Sequence, residues 1–300
     1  MEVFDEPGRI TDTLVMLDAI GWGFPKTTCS FVVMGKKIAF IEPAQKSSVG
    51  KLTNSLESQN IDLSKIRYIL ATHRHFDHVS GAASLLANLK NALVCAHSIT
   101  LNTLKNPEKM NFAVNSTFGE ISETIEEIKN DDKLRILNEG DRLDLGDGLE
   151  IEAIHTPGHT SDHLMFYERK NKFLYAGDAL GIFGFKSLSV LPSSLPPSFN
   201  YDKYKKSLEK LLNHDIELIA FSHFGGVKGK DAKAVIETAI QTLENWKNIA
   251  YETRELGHGI NELLRRLETK YKPQINVFSD KTRDSVFQML VVGFSNAFFA

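Results

Sequence analysis

The chain has 300 residues, of which 42% are hydrophobic and 24% are charged, as in an ordinary soluble globular protein. This composition excludes a disordered or fibrous chain. The formal net charge of −3 gives no support for nucleic-acid binding, which normally uses a basic surface, so we expect no nucleic-acid partner.

Cysteine content and hydropathy predict the compartment. Cys29 and Cys95 are too few for a disulfide framework, and both lie in apolar segments, so we expect buried free thiols. The N-terminus begins acidic and lacks the apolar core of a signal peptide. No stretch reaches the 18 or so apolar residues of a membrane span. We therefore expect a cytoplasmic protein without a membrane partner.

Strand and helix patterns interleave up to residue 228. Strands are predicted at residues 14–17, 30–34, 37–42, 66–71, 93–96, 149–154, 163–167, 173–176 and 216–221, and helices at 47–59 and 80–89. Residues 100–133 are polar and mainly helical, and 138–148 read as a turn-rich connection. This alternation predicts a layered α/β domain with helices outside the sheets.

The last 70 or so residues have a helical pattern instead. Ile236, Leu243 and Trp246 belong to one stripe at spacings of three and four, and residues 260–271 carry a second. We predict an α/β domain over 1–228 and a helical region over 229–300. In this region Phe287, Leu290, Val291, Phe294 and Phe298 cover more than one stripe of a terminal helix, which predicts a homodimer formed through the C-terminal helices. The alternative is a helix wholly buried within the single chain.

Metal-ligating side chains are concentrated after the strand at 66–71. The segment 72–78 reads Thr-His-Arg-His-Phe-Asp-His. In an extended chain His73, His75 and Asp77 point the same way, and His78 points elsewhere. One short loop can therefore offer His73 and His75 to one ion, and Asp77 and His78 to a neighbouring ion. Imidazole and carboxylate are ligands for zinc and iron.

Three further predicted strands are each followed by a histidine or an aspartate. A Thr-Pro-Gly-His turn presents His159, a Gly-Asp pair ends with Asp178, and a Ser-His-Phe-Gly-Gly segment contains His223. His163 is predicted to support the site by donating a hydrogen bond to a ligand carboxylate, and His155 to orient the turn that carries His159.

Taken together, this ordered motif set resembles the metallo-β-lactamase superfamily over roughly residues 12–228, and it is similar to that of glyoxalase II. The resemblance implies an αβ/βα sandwich, here followed by a C-terminal helical extension, with a dinuclear site at the sheet edge. By position, it implies that a first metal is held by His73, His75 and His159. A second metal would be held by Asp77, His78 and His223, and Asp178 would bridge.

Two such ions imply a metal-dependent hydrolase that uses a metal-bound hydroxide. We expect two divalent ions, zinc first, with iron or manganese as alternatives. Asp77 and Asp178 are the expected catalytic residues: Asp77 binds metal and orients the nucleophile, and Asp178 is shared by both ions. The expected substrate is a small ester, thioester or lactone.

Several departures from relatives bear on the substrate. The residues after Asp178 lack the basic and aromatic stretch with which glyoxalase II binds glutathione, and Gly181 stands where acyl-homoserine lactonases are expected to carry tyrosine. Aromatic side chains in loops near strand ends predict an apolar acyl-type pocket. These side chains are Trp22, Phe24, Phe183, Phe185 and Phe224, and for each of them the alternative is a place in the core. Phe224 is expected to crowd the site.

Two alternatives share much of the motif set. A persulfide-dioxygenase-like oxidoreductase would use one iron, and a phosphodiesterase or nuclease would act on phosphorus. Metal identity and stoichiometry separate the first alternative from a dinuclear hydrolase.

Overall fold

A computed structural model describes residues 1–184, 188–274 and 280–299. Within these residues the strands are β1 (Glu2–Phe4), β2 (Gly8–Thr11), β3 (Leu14–Asp18), β4 (Cys29–Met34), β5 (Ile38–Ile41), β6 (Ile66–Leu70), β7 (Leu93–Ala96), β8 (Leu134–Ile136), β9 (Arg142–Gly146), β10 (Leu149–His155), β11 (Leu164–Glu168), β12 (Phe173–Tyr175), β13 (Ile182–Gly184), β14 (Ser189–Leu191), β15 (Leu218–Ala220) and β16 (Gly226–Lys228). The α-helices are α1 (Val49–Ser58), α2 (Phe76–Val79), α3 (Ala82–Asn88), α4 (Ser98–Lys105), α5 (Glu108–Phe118), α6 (Tyr201–Leu211), α7 (Ala234–Glu255), α8 (Ile260–Tyr271) and α9 (Asp280–Ser295).

Two sheets of seven strands each form the centre of the fold. The N-terminal sheet has the order β2-β3-β4-β5-β6-β7-β8, and the C-terminal sheet has the order β1-β16-β15-β12-β11-β10-β9. Parallel pairing joins β5 to β6, β6 to β7, β7 to β8 and β12 to β15, and the other pairs within the two sheets are antiparallel. A two-stranded sheet of β13 and β14 lies apart from them.

Three apolar cores hold the layers together. Alternation along the strands sends Phe31 and Leu70 of the N-terminal sheet, with Phe166 and Ala220 of the C-terminal sheet, into a core between the sheets. A second core joins the N-terminal sheet to α1, α3, α4 and α5. A third joins the C-terminal sheet to α6, α7, α8 and α9. The predicted αβ/βα sandwich with a C-terminal helical extension is therefore confirmed.

The C-terminal helices pack on the C-terminal sheet and share its core. The five α9-region side chains from which a dimer was predicted are buried within the single chain. They are Phe287, Leu290, Val291, Phe294 and Phe298. These five side chains therefore do not form an exposed stripe. The homodimer stays a prediction, as does the domain division between residues 228 and 229.

The predicted cysteine state agrees with the structure, since Cys29 and Cys95 are both buried and free. Among the described residues, no helix combines the length and apolar character that crossing a membrane requires.

Candidate metal centre

The seven predicted ligand residues follow strands of both sheets. His73, His75, Asp77 and His78 come after β6 of the N-terminal sheet, whereas His159 follows β10, Asp178 follows β12 and His223 follows β15 of the C-terminal sheet. Their ligand atoms form three overlapping groups, within each of which the atoms lie no more than 4.8 Å apart. The first group is His73 with His75 and His159, and the second group is Asp77 with His78 and His223. The third, His73 with His78 and Asp178, shares a histidine with each of these two outer groups.

The first group is a triangle of imidazole nitrogens. His73 Nε2 lies 2.9 Å from His75 Nδ1 and 3.2 Å from His159 Nε2, and His159 Nε2 lies 3.1 Å from His75 Nδ1. One zinc ion at about 2.0–2.1 Å from each nitrogen spans such a triangle.

Hydrogen bonds on the far side of two of these rings fix the tautomers. His159 Nδ1 donates to the Ser193 carbonyl oxygen at 2.6 Å. His73 Nδ1 donates to Thr72 Oγ1 at 3.0 Å, because the Thr72 hydroxyl is itself used as a donor to Glu42 at 2.7 Å. The Nε2 atoms of His73 and His159 are then unprotonated and face each other. Two lone pairs in contact repel, and a shared cation satisfies both, so the donor set fits a metal ion.

The second group combines a carboxylate with two imidazoles. His78 Nε2 lies 3.4 Å from Asp77 Oδ2, and His223 is the third member. Asp178 lies between the two outer groups. Its Oδ1 is 3.6 Å from Nε2 of both His78 and His223, and its Oδ2 is 3.5 Å from His159 Nε2. This is the placement that a carboxylate shared by two ions requires.

The two outer groups differ in their electrostatics. Burial lowers the pKa of the first group's imidazoles, to about 3 for His75, where the neighbouring His159 adds to the effect. The pKa values of His73 and His159 are also lowered, mainly by burial. These rings are therefore neutral at pH 7, which is the form that binds metal.

The second group is surrounded by carboxylates: Asp77 belongs to it, and Glu42 and Asp178 lie against its histidines. Burial acts to lower the pKa of His78 and to raise that of Asp77, but their mutual attraction overrides it. The pKa of His78 is raised well above its ordinary value, with Asp77, Glu42 and Asp178 as the causes, and that of Asp77 falls to about 2. The pKa of His223 is raised against burial by Asp178. A site that holds protons on imidazoles in this way also attracts a cation.

The local chain path differs from the predicted extended loop. The chain is extended only as far as His75, which caps the short helix α2, and Asp77 and His78 lie within that helix. Simple alternation therefore explains why His73 and His75 face one group. A helical turn, in which successive side chains diverge by about 100°, presents Asp77 and His78.

Sequence reasoning missed Glu42, a buried residue that follows β5. Its Oε2 accepts hydrogen bonds from His78 Nδ1 at 3.0 Å, from Thr72 Oγ1 at 2.7 Å and from the Tyr175 hydroxyl at 3.4 Å. One carboxylate thus orients His78 directly and His73 through Thr72. The available signal was its position, since an acid at the end of β5 lies beside the end of β6, which carries the histidines.

Two predicted supporting histidines have different roles. His163 does not donate to a ligand carboxylate. Its Nε2 instead accepts from the backbone N–H groups of Asp178 at 3.1 Å and Ala179 at 3.2 Å, which corrects the prediction. It therefore fixes Asp178 through the main chain. His155 Nε2 donates to the Ser161 carbonyl oxygen at 2.9 Å, across the turn that carries His159.

The predicted aromatic pocket is only partly present. Trp22 is half-buried and stacks on His223, with ring centroids 6.3 Å apart, and Phe24 is exposed. Phe183 and Phe224 are instead fully buried. Phe183 stacks on Phe221 in the core under the C-terminal helices, and Phe224 packs between the sheets, so neither lines an open pocket. Phe185 lies outside the described residues.

Comparison with solved structures agrees with this architecture. A metallo-β-lactamase superfamily protein of the archaeon Sulfolobus tokodaii has a TM-score of 0.69 at 21% identity, over 96% of this chain and 99% of that one. A metallo-β-lactamase family protein of Thermus thermophilus has a TM-score of 0.65 at 19% identity, over 95% of this chain and 93% of that one.

Sequence comparison finds the same archaeal protein, ST1585, there described as a metallo-β-lactamase fold-containing protein of Sulfurisphaera tokodaii. It is 25% identical over 81% of this chain and 88% of its own length. A hydroxyacylglutathione hydrolase of Francisella philomiragia is 33% identical, but over only 39% of this chain and 34% of its own length. The sequence profile described as the metallo-β-lactamase superfamily matches residues 23–223. With that match over most of the chain, and with its ligand motifs gathered between two sheets of this topology, the chain belongs to the metallo-β-lactamase superfamily.

Proposed function

We propose that the protein is a dinuclear metal-dependent hydrolase acting on a small ester, thioester or lactone. The observation that carries the proposal is the position of Asp178, whose two oxygens lie between the first and second ligand groups. His73, His75 and His159 would hold one ion and Asp77, His78 and His223 the other, with Asp178 shared. Zinc is the expected metal, since imidazole and carboxylate donors suit it.

Two such ions, when bound, lower the pKa of water to about 7 and polarise the bond that is cleaved. The protein's own groups prepare this chemistry. Asp77, with its pKa held at about 2, is ionised at neutral pH and would accept a hydrogen bond from a water held by the ions. The Ser222 hydroxyl donates to Asp178 Oδ1 at 2.5 Å and holds that carboxylate in place.

The exposure of the ligands defines the side from which a substrate approaches. His73, His78, His159, Asp178 and His223 are buried. His75 and Asp77 are partly exposed, as is Trp22 next to His223. We infer that the substrate enters past His75 and Asp77, with Trp22 forming part of the wall.

One substrate type is disfavoured. Gly181 has a φ of +113°, and a Cβ there would lie 2.3 Å from the Leu191 carbonyl oxygen. The tyrosine expected at this position in acyl-homoserine lactonases therefore does not fit in this backbone. Relatives named hydroxyacylglutathione hydrolase support an acyl substrate of another kind.

The test is metal analysis of the purified full chain together with a substrate panel. We expect two divalent ions per chain, and hydrolysis of a small aryl ester, an acyl thioester or a simple lactone that chelation abolishes and zinc restores. One iron per chain with oxygen consumption on a persulfide would contradict the proposal in favour of a dioxygenase. Cleavage of a phosphodiester probe alone would favour the phosphodiesterase alternative.

A further inference from the structure

Asp162 is a buried carboxylate outside the ligand groups. It lies in the turn between β10 and β11, three residues after His159, and its side chain has no exposed surface. Burial of an ionised carboxylate is costly, and a buried ion pair often adds no net stability compared with apolar side chains of similar size. A specific structural role is therefore the better explanation for its presence.

The contacts of Asp162 point to the loop between two ligands. Oδ2 accepts a hydrogen bond from the backbone N–H of Arg74 at 3.0 Å and from the Thr100 hydroxyl of α4 at 2.7 Å. Oδ1 lies 3.5 Å from Arg74 Nη1. One carboxylate thus joins the turn after β10, helix α4 and the segment after β6.

Arg74 stands between His73 and His75, so its peptide plane sets the relative direction of these two side chains. Residues on either side of an extended position face the same way only while that backbone stays extended. The preceding residue is fixed as well, because the Thr72 carbonyl oxygen accepts from the Leu164 N–H at 2.8 Å. Asp162 and Leu164 together hold residues 72–74 against the start of β11.

We propose that Asp162 is a positioning residue that fixes the His73–Arg74–His75 backbone for binding of the first ion. The proposal rests on the proposed metal site. Asp162 itself touches no metal ligand side chain in the described contacts. It acts through the Arg74 amide, and the nearby Arg74 guanidinium offsets the charge of the buried carboxylate.

The experiment measures Zn²⁺ affinity of the metal-stripped full chain against a chromophoric chelator, for the unaltered protein and for Asp162→Ala, Asp162→Asn and Thr100→Val. A reference variant, His75→Ala, identifies which zinc ion is bound by the first group: the Zn²⁺-binding step that this variant lacks is assigned to that group. Asp162→Ala is expected to weaken that step about 10–100-fold, the usual effect of losing a residue that orients a ligand. Asp162→Asn should restore most of the affinity, since its amide oxygen can still accept from Arg74.

Thr100→Val is the matched control, because it removes the other donor to Oδ2 and leaves the Arg74 bond in place; it should bind zinc almost as the unaltered chain does. Thermal unfolding of each metal-free variant accompanies the titration. If Asp162→Ala does not fold, Asp162→Ser replaces it. The serine hydroxyl lies one bond nearer its own backbone than Oδ2, the atom that accepts from the Arg74 amide, so we expect the same loss of affinity.

The outcomes separate this inference from the proposed function. Failure of the unaltered chain to bind any divalent ion overturns both. Two bound ions with unchanged affinities in Asp162→Ala or Asp162→Ser overturn only the role of Asp162. Equal losses in the alanine and asparagine variants overturn the action through the Arg74 amide, since they would show that the charge is what matters.

Discussion

At the scale of single residues, Asp178 is the one on which both ligand groups depend. In the proposed dinuclear site, Asp178→Ala would remove a bond to each ion and a negative charge that offsets two cations. We expect the variant to lose dinuclear occupancy and hydrolytic activity. Elemental analysis of the dialysed protein and an ester or thioester assay check this. Full activity with two bound ions in Asp178→Ala would refute the shared-carboxylate assignment.

A pH prediction follows from four histidines of the metal-free protein. Burial is the main cause that lowers the pKa values of His73, His75, His159 and His163 below the ordinary 6.5. Below pH 6.5 the unfolded chain therefore binds more protons than the folded one. Stability rises with pH wherever this is so. We expect the metal-free protein to lose stability as the pH falls from about 6.5 towards 3.

The other groups of the site do not reverse this trend. His78 and His223 have raised pKa values, so their contribution is complete below pH 6.5 and is lost only as the pH rises through the folded values. Asp77 and Asp178 have lowered pKa values, so their contribution is lost at still lower pH and adds to the fall. Urea unfolding of chelator-treated protein between pH 6.5 and 4 is the measurement, and a constant midpoint would contradict it.

The ligand residues of the site could be predicted from the sequence, but the residues that support them could not. Each of the seven ligand residues lies at the end of a predicted strand, and the structure brings all seven together. Glu42 and Asp162 were missed because their roles depend on hydrogen bonds to residues distant in sequence, which no local spacing encodes. Phe183 and Phe224 were misplaced for a related reason: an aromatic residue in a loop looks the same whether it faces a pocket or the core.

At the scale of elements, α9 supports the metal centre from behind. Gly293 of α9 lies against the loop at 194–196, where a Cβ would come within 1.9 Å of the Ser194 carbonyl oxygen. Ser194 Oγ donates to the Leu290 carbonyl oxygen at 2.7 Å. The neighbouring Ser193 holds His159 through its carbonyl oxygen. We therefore expect a displacement of α9 to move the loop at 193–196 and, through the Ser193 carbonyl, the ligand His159.

We predict that Gly293→Ala destabilises the protein by about 1–3 kcal/mol, because overpacking forces backbone shifts. It should also weaken zinc binding. Gly50→Ala in α1 is the matched control, since a Cβ there meets nothing within 4 Å and alanine favours a helix. Thermal unfolding and a zinc titration of both variants check the prediction. Equal melting temperatures for the two would contradict it.

The main elements were predictable and the small ones were not. Long apolar strands such as β4 and β6 and periodic helices such as α7 are specified locally. The three-residue strands β1, β8, β13, β14 and β16 were not predicted, whereas β12 and β15, of the same length, were predicted because each lies in a longer apolar run. Nor was β9 predicted, which lies within the segment predicted as a turn-rich connection.

At the scale of the whole molecule, the homodimer remains a prediction. Among the described residues, the large apolar side chains that the C-terminal helices leave exposed are Tyr251, Leu256, Ile260 and Val292, and a second copy would have to cover these. We expect a dimer in sedimentation velocity at micromolar concentration. The double change Leu256→Glu with Ile260→Glu should then shift the protein to a monomer, because a dimer interface over these positions would have to bury two glutamate charges. A strict monomer before any change refutes the dimer and leaves the metal centre unaffected.

The division of the ligands between the two sheets has a consequence for synthesis of the chain. The N-terminal sheet is complete once β8 has been made, and it carries His73, His75, Asp77 and His78. Neither outer ligand group is complete at that point, because each needs a histidine of the later sheet. Domains fold from the N-terminus during translation. In the proposed site, binding of both ions therefore waits until β15 and His223 have been made, and we expect a chain that ends after β8 to have no hydrolase activity.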